Sequence, residues 1–151
     1  MSMLAKSAVT GCLLVCSLQA LAIQLVTKEE LLKSQKASPV VEANATPMDP
    51  LAPQITLVDP DSAEKAIKNP FKMEVLFRPQ DGASVDFKSF QALYGGLKLD
   101  ITDRLLKEAI KTPTGLRLAN VTVPSGKHRI LLRIKDSQNR IAEKEIQFKV
   151  E

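Results

Sequence analysis

Residues 127–136 alternate without a break: His128, Ile130, Leu132 and Ile134 fall on one side, and Lys127, Arg129, Leu131, Arg133 and Lys135 on the other. A period of two belongs to a strand with one face against a core, since a helix would scatter those positions around its axis. Residues 145–150 repeat the pattern, with Ile146, Phe148 and Val150 inward and Glu145, Gln147 and Lys149 outward, so a turn in residues 137–141 closes a hairpin. A slip of one residue would bury the charges, which leaves only registers that oppose inward to inward. The pairing that also matches opposite charges sets Arg133 across from Glu145, Lys135 from Glu143, Leu132 from Ile146 and Ile130 from Phe148.

The same period runs upstream. In residues 70–78, Phe71, Met73, Val75 and Phe77 share a face, and Pro79-Gln80-Asp81-Gly82 then turns the chain. Residues 54–58 read as a first strand, flanked by Pro53 and Pro60 as sheet edges often are. Residues 89–94 and 97–102 read as a hairpin on a two-residue Gly95-Gly96 turn. Residues 103–110 read as a helical turn bridging two sheets, capped by Thr102 or Asp103 and carrying Leu105, Leu106 and Ile110. Thr112-Pro113-Thr114-Gly115 leads into a further strand over residues 116–123. Short strands at this spacing predict an all-β chain: an immunoglobulin-like antiparallel β-sandwich of about seven strands over residues 54–151.

The closing third is more specific. Val123-Pro124-Ser125-Gly126-Lys127-His128, the alternating strand, Asp136-Ser137-Gln138-Asn139 and Ile146-Gln147-Phe148-Lys149-Val150 together resemble the last hairpin of bacterial Ig-like domains, with its P-x-G-x-H and D-x-x-G/N signposts. That resemblance implies a cell-envelope or surface module, found in repeats, adhesins or accessory subunits, and it implies no reaction. The chain departs from the antibody pattern in lacking a cysteine pair and a tryptophan, so its core rests on Phe71, Phe77, Phe90, Phe148 and aliphatic residues.

At the other end, residues 1–22 carry Lys6, an apolar run and the small-x-small sequence Ala20-Leu21-Ala22, which reads as a secretory signal. The apolar run is shorter than the ~20 residues a membrane span needs, so no transmembrane segment is expected after cleavage, and the location is periplasmic or secreted. Cys12 and Cys16 both fall in this segment, and Val9-Thr10-Gly11-Cys12 resembles a lipobox that would lipidate Cys12. A mature chain without cysteine has no disulfide, no thiolate nucleophile and no cysteine metal site. Residues 23–53 divide into a short amphipathic helix over 23–36 and a Pro-rich linker. The helix has Thr27 as N-cap, Glu30 as its capping-box partner, Val26 as a staple, and Leu25, Leu31 and Leu32 as an apolar side that must find a surface on a partner or on the domain itself.

Chemistry is sparse. Lys and Arg number 21 against 17 Asp and Glu, a net +4 that falls by one with the signal, and one Tyr with no Trp provides no base-stacking platform, so nucleic acid is not an expected partner. His128 is the only histidine; a hydrolase would need Ser125 as nucleophile, whereas a structural His128 would bond a loop carbonyl and fix the turn. Asp59, Asp61 and Asp136 are weak calcium candidates, equally suited to Asx turns, and no cofactor is expected. The outward row Lys127, Arg129, Arg133 and Lys135 is either a solvated face, partly neutralised by Glu143 and Glu145, or a site for an anionic partner. The function expected is that of a non-enzymatic periplasmic or cell-envelope interaction or accessory module, its partner an envelope protein or an anionic polymer. The alternative is a surface- or carbohydrate-binding adhesin-type module that uses the basic face.

Overall fold

A computed structural model describes residues 22–37, 48–60 and 66–151. The expected signal up to residue 21, with both cysteines, lies outside the described residues, as do residues 38–47 of the linker and Asp61.

The described elements run in order β1 (Ile23–Gln24), α1 (Lys28–Lys36), β2 (Gln54–Asp59), β3 (Phe71–Arg78), β4 (Val85–Tyr94), β5 (Leu99–Asp100), α2 (Thr102–Glu108), β6 (Ile110–Thr112), β7 (Gly115–Thr122), β8 (Gly126–Asp136) and β9 (Ile141–Val150). They form two sheets. In the first, β7 lies between β3 and the pair β1 and β6, and β2 closes the far side; in the second the order is β5-β4-β8-β9. Setting aside β1, this is the immunoglobulin strand order, with ABED in one sheet and C′CFG in the other.

The alternation gives each strand its inward row. Phe71, Met73, Val75 and Phe77 of β3 are buried, as are His128, Ile130, Leu132 and Ile134 of β8. On β4 three extra residues separate the Asp86↔Lys135 and Gln91↔Arg133 pairs. The Asp86 carboxylate accepts the Lys88 N–H there, and the Ser89 hydroxyl accepts the Lys135 N–H, so backbone groups lost to the ladder are satisfied locally. The excursion sends both Phe87 and Phe90 inward onto Phe77, with ring centroids 5.8 and 5.7 Å away.

Three local expectations change. The β8–β9 register pairs inward residues as argued but lies two residues away: Arg133 opposes Glu143, Ile130 opposes Ile146, His128 opposes Phe148 and Lys135 opposes Ile141. The turn sets this, because Asp136 N–H bonds the Arg140 carbonyl and Asn139 takes φ 61°, which leaves a three-residue loop and returns Ile141 to the strand. The β4–β5 turn spans four residues, with Tyr94 opposite Leu99 and the Lys98 N–H on the Gly95 carbonyl. The bridging helix exists, but its N-cap is Ile101 with no side-chain bond, the Thr102 N–H goes to Asp100, and Ile110 sits exposed in β6.

Candidate functional site

The outer face of the second sheet carries the basic row. Lys127, Arg129, Leu131, Arg133 and Lys135 project from β8, beside Glu143, Glu145, Gln147 and Lys149 of β9 and Gln91 and Leu93 of β4. Arg133 is ion-paired with Glu143 directly across, and Arg129 reaches Glu145 at 3.7 Å. Lys135 stands opposite Asp86, and Lys127 opposite Lys149. At the centre Leu93 and Leu131 face one another across the β4–β8 ladder. A shallow hollow lies between this centre and the β4–β5 turn, bounded by Gly95 and Gly96 on one side and Arg129, Glu143 and Glu145 on the other. The face is therefore a mixed-charge rim around two leucines, not an unbroken basic stripe.

The N-terminal segment is built into the sandwich. β1 runs parallel to β7, pairing Ile23 with Val121 and Gln24 with Thr122, and the Leu25 N–H continues the ladder to the Thr122 carbonyl. The capping box of α1 is present: the Glu30 N–H bonds the Thr27 hydroxyl and the Thr27 N–H bonds the Glu30 carboxylate. That carboxylate also takes both terminal nitrogens of Arg104 from α2, at 2.8 and 2.9 Å, and Arg104 holds its pKa below the usual carboxylate range. Leu25 (0% exposed) and Leu31 (5%) join the core, while Leu32 (48%) stays at the surface. A Cβ on Gly95 would lie 1.7 Å from Ser34 Oγ, and one on Gly126 would lie 3.3 Å from Leu31 Cδ2, so α1 rests on a shelf of glycines. The sequence presented those glycines as turn residues, and nothing local indicated a helix lying upon them.

His128 is buried at this same end, 3% exposed. Its Nε2 is 2.8 Å from the Pro124 carbonyl and its Nδ1 2.8 Å from Tyr94 Oη. A carbonyl only accepts, so Nε2 carries the proton and Nδ1 accepts from the tyrosine hydroxyl. The ring stacks on Phe148 at 5.3 Å. Burial lowers the His128 pKa, against a smaller upward pull from the Pro124 carbonyl, and burial pushes Tyr94 up to about 12, helped by the charge of Glu30. With both nitrogens engaged, none faces Ser125, and the expected bond from His128 to a loop carbonyl is present. Tyr94 is the partner that sequence reasoning missed.

Of the calcium candidates, Asp136 is buried and its oxygens are engaged. Oδ1 accepts the N–H groups of Gln138 and Arg140, and Oδ2 binds Arg140 Nε at 2.7 Å. Burial raises its pKa, but these bonds outweigh it and the net shift is downward. Arg140 also donates to the Gln80 carbonyl and lies 3.6 Å from Asp81, which fastens this hairpin to the β3–β4 turn. Asp59 ends β2. Among the described residues no group of three or more His, Cys, Asp or Glu is placed to hold a metal ion, and no helix is long and apolar enough to cross a membrane.

No protein-family model matches the chain, and no curated protein matches it. Among solved structures it is similar to the crystal structure of CopC from Methylosinus trichosporium OB3b, with 19% identity and a TM-score of 0.43, over 65% of this chain and 94% of that one.

Proposed function

We propose that this chain is a periplasmic accessory module that binds a protein partner without catalysing a reaction, through the outer face of β5-β4-β8-β9. The observation that carries this reading is the Leu93–Leu131 centre within a rim of charges of both signs, since protein interfaces combine an apolar middle with a polar rim. Export rests on the signal-like residues 1–22. Leu25 and Leu31 are buried inside the domain, whereas the outer face of this sheet stays open to a partner. Cross-linking in intact cells tests this: the wild type should capture one defined protein, Leu131→Arg should lose it, and Lys72→Glu on the other sheet should keep it. Capture that survives Leu131→Arg would refute the assignment.

A second reading takes its support from Lys127 and Lys149, which oppose one another in the ladder although like charges there cost stability. An anionic polymer or glycan-bearing surface bound at this end would offset that cost. Retention on an immobilised polyanion, lost in Lys127→Glu and eluted by salt, would favour it.

A further inference from the structure

We propose that the open side of the sandwich, between β2 and β9, binds a small amphipathic carboxylate of the fatty-acid type, with its chain along an apolar cleft and its head group on Lys144. β2 is the last strand of one sheet and β9 of the other, and the cleft between them holds about 420 Å³, within the range of small-molecule sites. It stays open because two positions that could fill it are small. Ala142 of β9 and Ala52 ahead of β2 are buried but too short to close the gap, and Met48, Pro53 and Ile55 add to the apolar lining.

One wall is fixed in place by its own bonds. Residues 49–52 form a turn, with the Ala52 N–H on the Asp49 carbonyl and the Leu51 N–H on the Asp49 carboxylate. Gln80 fastens that turn to the domain: its Nε2 donates to the carbonyls of Pro50 and Ala52, at 3.2 and 2.6 Å, while its own carbonyl accepts from Arg140. Pro50 and Pro53 restrict the backbone on either side of Ala52. A wall tied down in this way has little freedom left to lose when a ligand arrives.

Charge selects the ligand. Lys144 is the one cation among the described residues that line the cleft. It lies in the inward row of β9, opposite Leu132, and its ammonium makes no hydrogen bond or ion pair with any described residue. Two carboxylates border the same space. Glu143 belongs to the outer row and is ion-paired with Arg133, and Asp49 accepts the Leu51 N–H. A polar solute would leave the apolar lining wet, and an uncharged alkyl chain would leave the ammonium without a counter-ion. An alkyl carboxylate meets both, and the site uses neither Leu93 nor Leu131.

Titration of the isotope-labelled protein with sodium decanoate, followed by amide NMR, tests the site. Saturable shifts should centre on Ala52, Ile55, Ala142, Lys144 and the Gln80 side-chain amide, and affinity should fall by up to about fourfold for each methylene removed, through nonanoate to octanoate. Decyltrimethylammonium, the same chain with the opposite charge, should bind about fivefold or more weakly, the worth of an exposed ion pair. Lys144→Gln should erase that preference, Asp49→Asn should leave decanoate binding intact or tighter, and Leu131→Arg should bind it as the wild type does. Ala142→Leu should fill the cleft and abolish binding. No saturable shift, shifts centred on another surface, equal affinity for the two head groups, or a preference that survives Lys144→Gln would each overturn the proposal. Lys144 is exposed, so the charge test stands even where Ala142→Leu does not fold.

Discussion

Replacing Gly95 with alanine tests the seating of α1 more directly than any change in the helix itself. Gly95 has φ +67°, so a side chain there meets the left-handed penalty, about 1–2 kcal/mol. The new Cβ would also lie 1.7 Å from Ser34 Oγ and 2.5 Å from Ser34 Cβ. Rotating the hydroxyl away relieves the first contact and leaves the second, so the helix has to move. Movement breaks the Gly96 N–H bond to Ser34 Oγ, worth about 1 kcal/mol, and lifts Leu31 from its seat, with part of the ~1.5–3 kcal/mol of a buried leucine. Gly95→Ala should therefore cost about 3–5 kcal/mol in urea unfolding followed by far-UV circular dichroism. In a Ser34→Gly background the obstacle is gone and the same change should cost only about 1–2 kcal/mol, the left-handed penalty. The double-mutant cycle should thus show a coupling of about 2–3 kcal/mol. Additivity within about 0.5 kcal/mol would refute the contact between α1 and the β4–β5 turn.

At the other end, Arg140→Met should cost about 3–5 kcal/mol by the same assay, because it leaves the Asp136 carboxylate buried without its cation. Adding Asp136→Asn should recover part of that loss, and a cost below about 1 kcal/mol for the single change would contradict the burial of the pair. Phe77→Ala empties the junction of the Phe87 and Phe90 rings and should cost about 3–5 kcal/mol, with an unchanged urea slope. Stability should be flat from pH 7 to about pH 9, below the range in which Tyr94 ionises in the unfolded chain, and decline on acidification in two stages. Unfolded chains protonate their histidine near 6.5 before the folded state does, so the first decline starts there; His128→Gln should remove it. Asp136 contributes stability above the ordinary carboxylate value of 3.8, and this is lost as pH falls through its still lower folded value. Urea midpoints that coincide at pH 8 and 5 would refute the His128 assignment, and midpoints that coincide at pH 4 and 2 would refute that of Asp136.

Inward and outward positions were legible because burial acts on each residue of a strand separately and writes a period of two into the chain. Register was legible only to its parity. Moving β9 by two residues keeps the same row of β9 inward and still gives Arg133 a glutamate, Glu143 in place of Glu145, so the core does not discriminate between the two. The cross-strand charges favour the register not adopted, since the observed one sets Lys135 opposite Ile141 and Lys127 opposite Lys149. The choice lies with Asp136, which spends its carboxylate on the Gln138 and Arg140 N–H groups and on the Arg140 guanidinium, bonds that require a three-residue loop. The N-terminal segment divides in the same way. Its capping box was readable from Thr27 and Glu30 because a cap is a contact over three residues. Its destination was not, because the Gly96–Ser34 and Arg104–Glu30 contacts join positions more than 60 residues apart, and a glycine that admits a helix is spelled like a glycine that makes a turn.

The free edges of the two sheets bear on which surface is left for a partner. β2 hydrogen-bonds to β3 alone and β9 to β8 alone as strands, so each offers an open ladder along the same side of the sandwich. Both edges are guarded. Pro53 and Pro60 flank β2, and β9 carries Lys144 in its inward row, between the buried Ala142 and Ile146. A lysine in that position has to keep its ammonium in water, and a strand added at the edge would bury it, which is a recognised means of preventing edge-to-edge pairing. The parallel bridge from Ile67 to Val150 covers the end of the same strand. Strand addition is thus disfavoured on these two edges, α1 occupies the end where His128 is enclosed, and the Asp136–Arg140 pair is engaged in holding the hairpin at the other. The outer face around Leu93 and Leu131 is a surface that none of these structural tasks consumes.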